Sequence, residues 1–225
     1  MRLNPVLPAT LILLVSGPAL AQEPTEYVSK ADYFSISFMG QPTVRDITYP
    51  TEYRITLPAR VYSSDARRNH YAVTVIDYRD AVKIHAVRND KCMADAGADR
   101  PGLTATQRRD LVGDACQDDG AKDVRGAMMW ATWNVVQKAA KVTHLAYYNS
   151  DLIEGHEIHT INADESRTYA VIHMHENRLY IAEATAPKGA PAANWFQISL
   201  RFLDDQFKLV RYQMVGLHLY SNGML

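Results

Sequence analysis

Apolar and polar residues begin to alternate at Phe34: Phe34, Ile36 and Phe38 point one way, Ser35 and Ser37 the other. A period of two is the pattern of a half-buried strand, and Gly40 and Pro42 end this one. A second extended segment spans residues 53–63. Pro58 within it lacks a backbone donor, which predicts an edge strand or a bulge. The polar cluster 64–70 predicts a turn, and residues 71–78 predict a strand with Tyr71, Val73, Val75 and Asp77 on one face. Connections this short imply antiparallel pairing.

The period then changes. Residues 80–92 and 104–115 predict short helices, the second started by Thr104 or Thr106 as N-cap. The strongest helical pattern covers residues 122–141. Met129, Trp133, Val136 and Ala140 recur at helical spacing, and Met128, Thr132 and Val135 widen the stripe. A core-facing helix is the plain reading of that stripe, a methionine and tryptophan ligand groove the other. Asp123 near its start and Lys138 and Lys141 at its end complement the helix dipole.

Strand patterns return at residues 142–149, 156–162, 167–175 and 178–185, separated by hairpin-length turns at 163–166 and 176–177. Pro187, Gly189 and Pro191 break the run. A further helix is predicted over residues 192–207, burying Trp195 or Phe196, Ile198, Phe202 and Leu203, and a last strand over 208–215. Strands, a helical middle, a four-stranded meander and a terminal helix make an α+β domain with a largely antiparallel sheet.

The beginning of the chain changes the setting. Arg2, the apolar run 6–15 and the small residues Ala19 and Ala21 read as a signal peptide over residues 1–21, cleaved after Ala21. That run is too short and too Pro-interrupted for a membrane span of about 20 residues. The expected product is periplasmic or secreted, with no transmembrane segment. It has a flexible lead-in at 22–32, a single domain at 33–215 and a frayed tail at 216–225.

An oxidising compartment makes Cys92 and Cys116 a disulfide by default, framing a Gly-, Asp- and Ala-rich insertion. A loop of about 25 residues closed this way is worth roughly 3 kcal/mol on the chain-entropy model. A redox pair or thiolate metal ligands are the alternatives, but neither a C-x-x-C motif nor a neighbouring histidine accompanies the cysteines.

Charge adds little. Lys and Arg number 24 against 25 Asp and Glu, so no basic footprint for nucleic acid exists. The sequence also lacks a G-x-S-x-G elbow, a P-loop, a dinucleotide glycine fingerprint and H-E-x-x-H. Four of the eight histidines, however, fall between His156 and His175. His173 and His175 are two apart on a predicted strand and share a face. A turn centred on Asp164–Glu165 would set His156 opposite His173 and His159 opposite Ala170. His156, His173 and His175 then make the best first trio of ligands for zinc or copper, with Glu157 on the other face. A register slip of one residue would rearrange this completely. Structural histidines hydrogen-bonded within the sheet are the competing reading, and acid–base catalysis a third. Tyr147, Tyr148, Tyr169, Tyr180, Trp195 and Tyr212 flank the same strands and suit either core or interface anchors.

Several short motifs carry a resemblance. The stretch FSISFMGQP at residues 34–42 is similar to the F-x-V-x-F-P-G-x-P opening of exported bacterial proteins with a PsbP-like fold. GHEI at 155–158, Arg167, RLYIAEA at 178–184 and WFQISLRFLDDQF at 195–207 resemble the same group. Met39 stands where proline is usual, Asp205 where serine is usual, and the disulfide-framed insertion is additional. The resemblance covers most of the expected mature chain. It implies an α/β/α sandwich around an antiparallel sheet, a fold that hosts a photosystem II extrinsic subunit, a Ran-binding nuclear-import factor and bacterial envelope proteins. Those members bind partners. The expectation is therefore an exported non-catalytic binding or adaptor domain for a protein or envelope component, with no cofactor. The alternative is a periplasmic metal-binding protein using the histidine trio.

Overall fold

The alternation at Phe34 does produce a strand, and it sets the layering of the molecule. The computed structural model describes residues 23–212, so the expected leader and tail lie outside the described residues. Strand β1 (Thr25–Ser29) pairs antiparallel with β2 (Phe34–Phe38), and the short β10 (Arg201–Phe202) closes the other side of β2. The lead-in is thus a strand, where the sequence suggests a flexible arm. Tyr27 anchors it against the rings of Phe38 and Tyr62 at 5.9 and 5.7 Å.

The main sheet has seven strands. A meander of β3 (Thr43–Pro50), β4 (Thr56–Ala66) and β5 (Asn69–Asp77) meets a second of β6 (Lys141–Ser150), β7 (Ile153–Ile161), β8 (Arg167–His175) and β9 (Arg178–Ala186). The order is β3-β4-β5-β9-β8-β7-β6, antiparallel throughout. The two meanders join at β5–β9 because helices α1 (Ala81–Asp95), α2 (Ala105–Val112) and α3 (Gly120–Lys138) are inserted between β5 and β6. Thr104 caps α2 with a capping box to Gln107, as its position suggests.

Pro58 lies inside β4, which is not an edge. The edge is β3, unassigned from the sequence, and Pro58 faces its Thr48. Its missing donor is tolerated because the β4–β5 ladder begins one residue later, at Ala59–Ile76. The 64–70 turn contracts to Arg67 and Arg68, both at positive φ (51° and 71°), a geometry whose twist suits a two-residue hairpin.

Alternation divides the side chains of the main sheet between two cores. One face carries Tyr71, Val73, Val75, Val171, Tyr180 and Ala182 against Phe34, Ile36 and Phe38 of the small sheet. The other carries Leu57, Ala59, Ile76, Ile158, Ile172 and Ile181 against Ala127 and Ala131 of α3. The layers are therefore helices, seven-stranded sheet and three-stranded sheet. The α+β class and the mostly antiparallel sheet agree with the sequence reading, but a small sheet stands where the second helical layer of an α/β/α sandwich would be.

Two segments explain that difference. The helix expected over residues 192–207 is a single 3-10 turn (Gln197–Ser199) followed by β10. Phe196, Phe202 and Leu203 are buried as expected, at most 3% exposed, whereas Ile198 is 41% exposed, and the open edge of β2 recruits residues 201–202 into an extended pairing. Beyond it, Leu209 makes only an isolated bridge to Leu203, and residues 208–212 hold no strand. The stripe on α3 is also rotated. Gly120, Asp123, Ala127, Ala131 and Thr132 are its buried residues, whereas Met129 and Trp133 are 62% and 53% exposed. Small residues let a helix sit close on a sheet, but they contribute little to hydrophobic periodicity, so the bulky solvent-facing side chains dominate the pattern.

Cys92 and Cys116 lie at disulfide distance, S–S 1.98 Å, with Cα atoms 5.5 Å apart. The pair ties the C-terminal part of α1 to the loop before α3. The intervening α2 buries no residue, so this covalent link anchors the insertion.

Candidate functional site

The β7–β8 hairpin decides what the histidines can do. Its loop closes through Asn162, whose N–H donates to the Ser166 carbonyl at 2.8 Å, while the Glu165 N–H donates to the Asn162 carbonyl at 3.0 Å. Glu165 sits at φ 61°, the left-handed residue that ends a three-residue hairpin loop. The sequence suggests an even turn; the odd loop moves the register by one residue. Gly155 faces His173, His156 faces Ile172 and His159 faces Tyr169. A shift of one sends every side chain of the strand to the other side of the sheet.

His156 consequently lies under the helices. Thr132 donates its hydroxyl hydrogen to the Met128 carbonyl at 2.9 Å and accepts from His156 Nδ1 at 2.7 Å. Burial holds this imidazole below its ordinary pKa. His173 and His175 lie on the opposite face, with the small sheet. His173 is fully buried and donates through Nδ1 to the Glu154 carbonyl at 3.1 Å. Its Nε2 has no protein partner and is surrounded by the rings of Phe202 and Tyr148. Burial pushes its pKa down to about 4. His175 packs on Phe202 and meets the Tyr212 hydroxyl at 3.2 Å through Nε2.

The three expected ligands therefore do not converge, because the sheet separates His156 from the other two. Among the described residues no cluster of three His, Cys, Asp or Glu side chains is arranged to hold a metal ion. His159 and Glu157 meet instead on the face that His173 shares, Nε2 to Oε1 at 3.0 Å, with His144 Nε2 3.8 Å from the second carboxylate oxygen.

Gly155 exists to admit His173. A β-carbon there would overlap His173 Nδ1 and stand 2.5 Å from the Ile172 carbonyl oxygen. Gly155→Ala should cost about 2 kcal/mol by overpacking, read as a lower urea midpoint with an unchanged m-value. In the sequence GHEI stands only as part of a resemblance; the glycine's packing role needs the register.

A second feature lies at the free edge of the same meander. Among the described residues strand β6 ends the sheet, and residues 142–149 carry no Lys, Arg, Asp, Glu or Pro. The opposite edge, β3, is blunted by Arg45, Asp46 and Pro50. On its helix-facing side β6 shows Leu145 and Tyr147, 55% and 65% exposed, and Tyr147 is the cross-strand neighbour of His156. His156 is bonded to Thr132, whose neighbours on α3 include the exposed Met129 and Trp133. One long, nearly uncharged edge strand thus carries two large exposed apolar side chains, Leu145 and Tyr147. Of the flanking tyrosines, Tyr169 and Tyr180 are core residues and Tyr147 is an exposed one.

No known family model matches this chain, and no curated protein is similar to it at a significant level.

Proposed function

We propose that this chain is an exported, non-catalytic binding domain that receives an extended segment of a protein partner along β6. The observation that carries the reading is the run from His144 to Asn149, beyond a bulge at Thr143, which holds no Lys, Arg, Asp, Glu or Pro. Unpaired N–H and C=O groups on a ten-residue strand are a template for another strand, and natural edges are ordinarily blunted by charge, proline or a covering element. Main-chain bonds supply affinity in this mode, and side chains at alternate positions supply selectivity. Leu145 and Tyr147 are such alternate positions, both exposed on the helix-facing side of the edge. Export rests on the leader pattern at residues 1–21 and is supported by the cysteine pair at disulfide distance. No helix among the described residues is long and apolar enough to cross a membrane.

A photo-crosslinking residue placed at Tyr147 should capture, in cells, a discrete adduct whose cross-linked peptide is one extended segment. The same probe at Val44 on the opposite edge should not. Leu145→Lys should abolish the adduct while leaving stability within about 0.5 kcal/mol, because the side chain is surface-exposed. Adducts of equal yield at Val44 and Tyr147, or adducts insensitive to Leu145→Lys, would remove the basis for the proposal. Tyr147→Ala should weaken partner binding about tenfold or more, the loss associated with an aromatic anchor buried on binding, measured by titration against the cross-linked segment made as a peptide.

A further inference from the structure

A cavity of about 280 Å³ opens where the 30–33 turn meets β3, β4, β5 and the start of β9. Six charged side chains line it, three acidic and three basic. Two of the arginines hold the three carboxylates. Arg60 donates from Nη1 to Asp32 and from Nε to Asp46, each at 3.0 Å, and Arg79 grips Asp77 with Nε at 2.8 Å and Nη2 at 2.5 Å. Tyr62 also donates to Asp32; burial, then that contact, raises its pKa to about 12 and keeps it a donor.

The third arginine is different. Arg178 is 7% exposed, yet its guanidinium makes no hydrogen bond to any described residue. The Glu176 carboxylate is its nearest ion partner at 3.9 Å, beyond hydrogen-bond reach. The cation lies 4.7 Å from the centroid of the Tyr33 ring, and Tyr33 is stacked in turn on Phe207 at 5.7 Å. Stacking occupies the face of a guanidinium and leaves its five N–H donors pointing outward in the plane. A charged group this buried is ordinarily paired and hydrogen-bonded. Here the donors are oriented, nearly desolvated and unsatisfied by protein at the wall of a cavity.

We infer that the cavity binds a small organic acid, its planar carboxylate seated edge-on against Arg178 and its short carbon body resting on Pro58 and Val75. A guanidinium fork matches a carboxylate in two parallel hydrogen bonds. The lining charges balance before the ligand arrives, so a monoanion suits the site better than a multiply charged phosphate. The volume, at the lower end for small-molecule pockets, suits a small ligand. The site is distant in sequence and chemistry from the β6 edge, and it stands or falls independently of strand docking.

The test uses the ¹⁵N-labelled mature protein and follows the arginine Nε–H resonances, with Arg178 assigned by its loss in Arg178→Lys. Isobutyrate should shift the Arg178 signal saturably in the millimolar range. Isobutyramide, equal in shape but uncharged, should leave it in place. Arg178→Lys keeps the charge and loses the fork, so isobutyrate shifts elsewhere in the cavity should weaken at least tenfold. The comparison of acid with amide on the wild-type protein is decisive even where the variant fails to fold. An Arg178 signal unmoved into the tens of millimolar, moved equally by acid and amide, or moved more strongly by inorganic phosphate would each overturn the assignment.

Discussion

Asp123→Ala is expected to lower the unfolding free energy of the mature protein by about 4 kcal/mol, the range for removing one partner of a buried ionisable pair. Asp123 stands in the first turn of α3 and is 1% exposed. Its Oδ2 accepts from the Thr51 hydroxyl at 2.6 Å, and His85 Nε2 lies 2.8 Å from the same oxygen. His85 belongs to α1 and is 2% exposed, while Thr51 belongs to the β3–β4 turn. One carboxylate therefore holds both helices and a turn of the main sheet together. The helices are close enough for this because of Gly120, where a β-carbon would approach the Val82 Cα to 2.9 Å. Alanine leaves a hydroxyl and an imidazole nitrogen buried without their acceptor. The Asp123→Asn variant retains an acceptor oxygen and should lose about half as much. Urea unfolding of the two variants checks the ordering. Equal, small losses would mean that helix docking rests on the alanine face of α3 alone.

The second large effect is acid sensitivity. Stability should fall by about 3 kcal/mol between pH 6.5 and pH 4 through His173. Above pH 6.5 the imidazole is neutral in both the folded and the unfolded chain. As pH falls below 6.5 the unfolded chain binds a proton, whereas the folded one, with its pKa held down to about 4, does not until that pH is reached. Stability is therefore fully present above the unfolded pKa and is lost as pH falls toward the folded one. The cause is desolvation: the ring is fully buried and its Nε2 has no acceptor to receive a proton's bond. His156 and His175 are shifted in the same direction by burial and add to the slope. Chemical denaturation of the wild type and of His173→Phe at pH 7.5, 5.5 and 4.5 separates the contribution. The variant should lose most of the pH dependence; an unchanged slope would place the effect at other groups.

His173 also shows why a site that looks like chemistry in the sequence becomes packing in the fold. The pair at His173 and His175 is legible as one face of a strand, and they do share it. The third partner depends on the parity of a loop. Residues 163–165 form an odd loop because Glu165 takes a left-handed conformation that Asn162 and Ser166 bracket with hydrogen bonds. Nothing in the residue types at 162–166 distinguishes that loop from a four-residue turn, yet the difference places a sheet between His156 and His173.

The α3 helix makes the same point in another way. Its existence follows from spacing and from Asp123 and Lys138 at its ends. Which face turns inward does not, because Ala127 and Ala131 pack by being small and leave Met129 and Trp133 as the visible apolar signal.

What the residues alone determined about this protein is local. Period-two alternation settled most of the strands, including the four from Lys141 to Ala186. Helical spacing and the Thr104 cap settled the three helices between β5 and β6, and two cysteines behind a leader pattern pointed to their own pairing. Each of these depends on neighbours within a turn or a hairpin, where intrinsic preferences act directly. The tertiary structure alone decided the β7–β8 register, the joining of β5 to β9, the strand that replaces a helix beside β2, the open edge at β6 and the unsatisfied guanidinium of Arg178. Those depend on which distant backbone edge is left unpaired and which surface is small enough to be covered. Such competition among segments far apart in the chain is settled by burial and hydrogen-bond satisfaction in three dimensions, and it leaves no periodic trace in one.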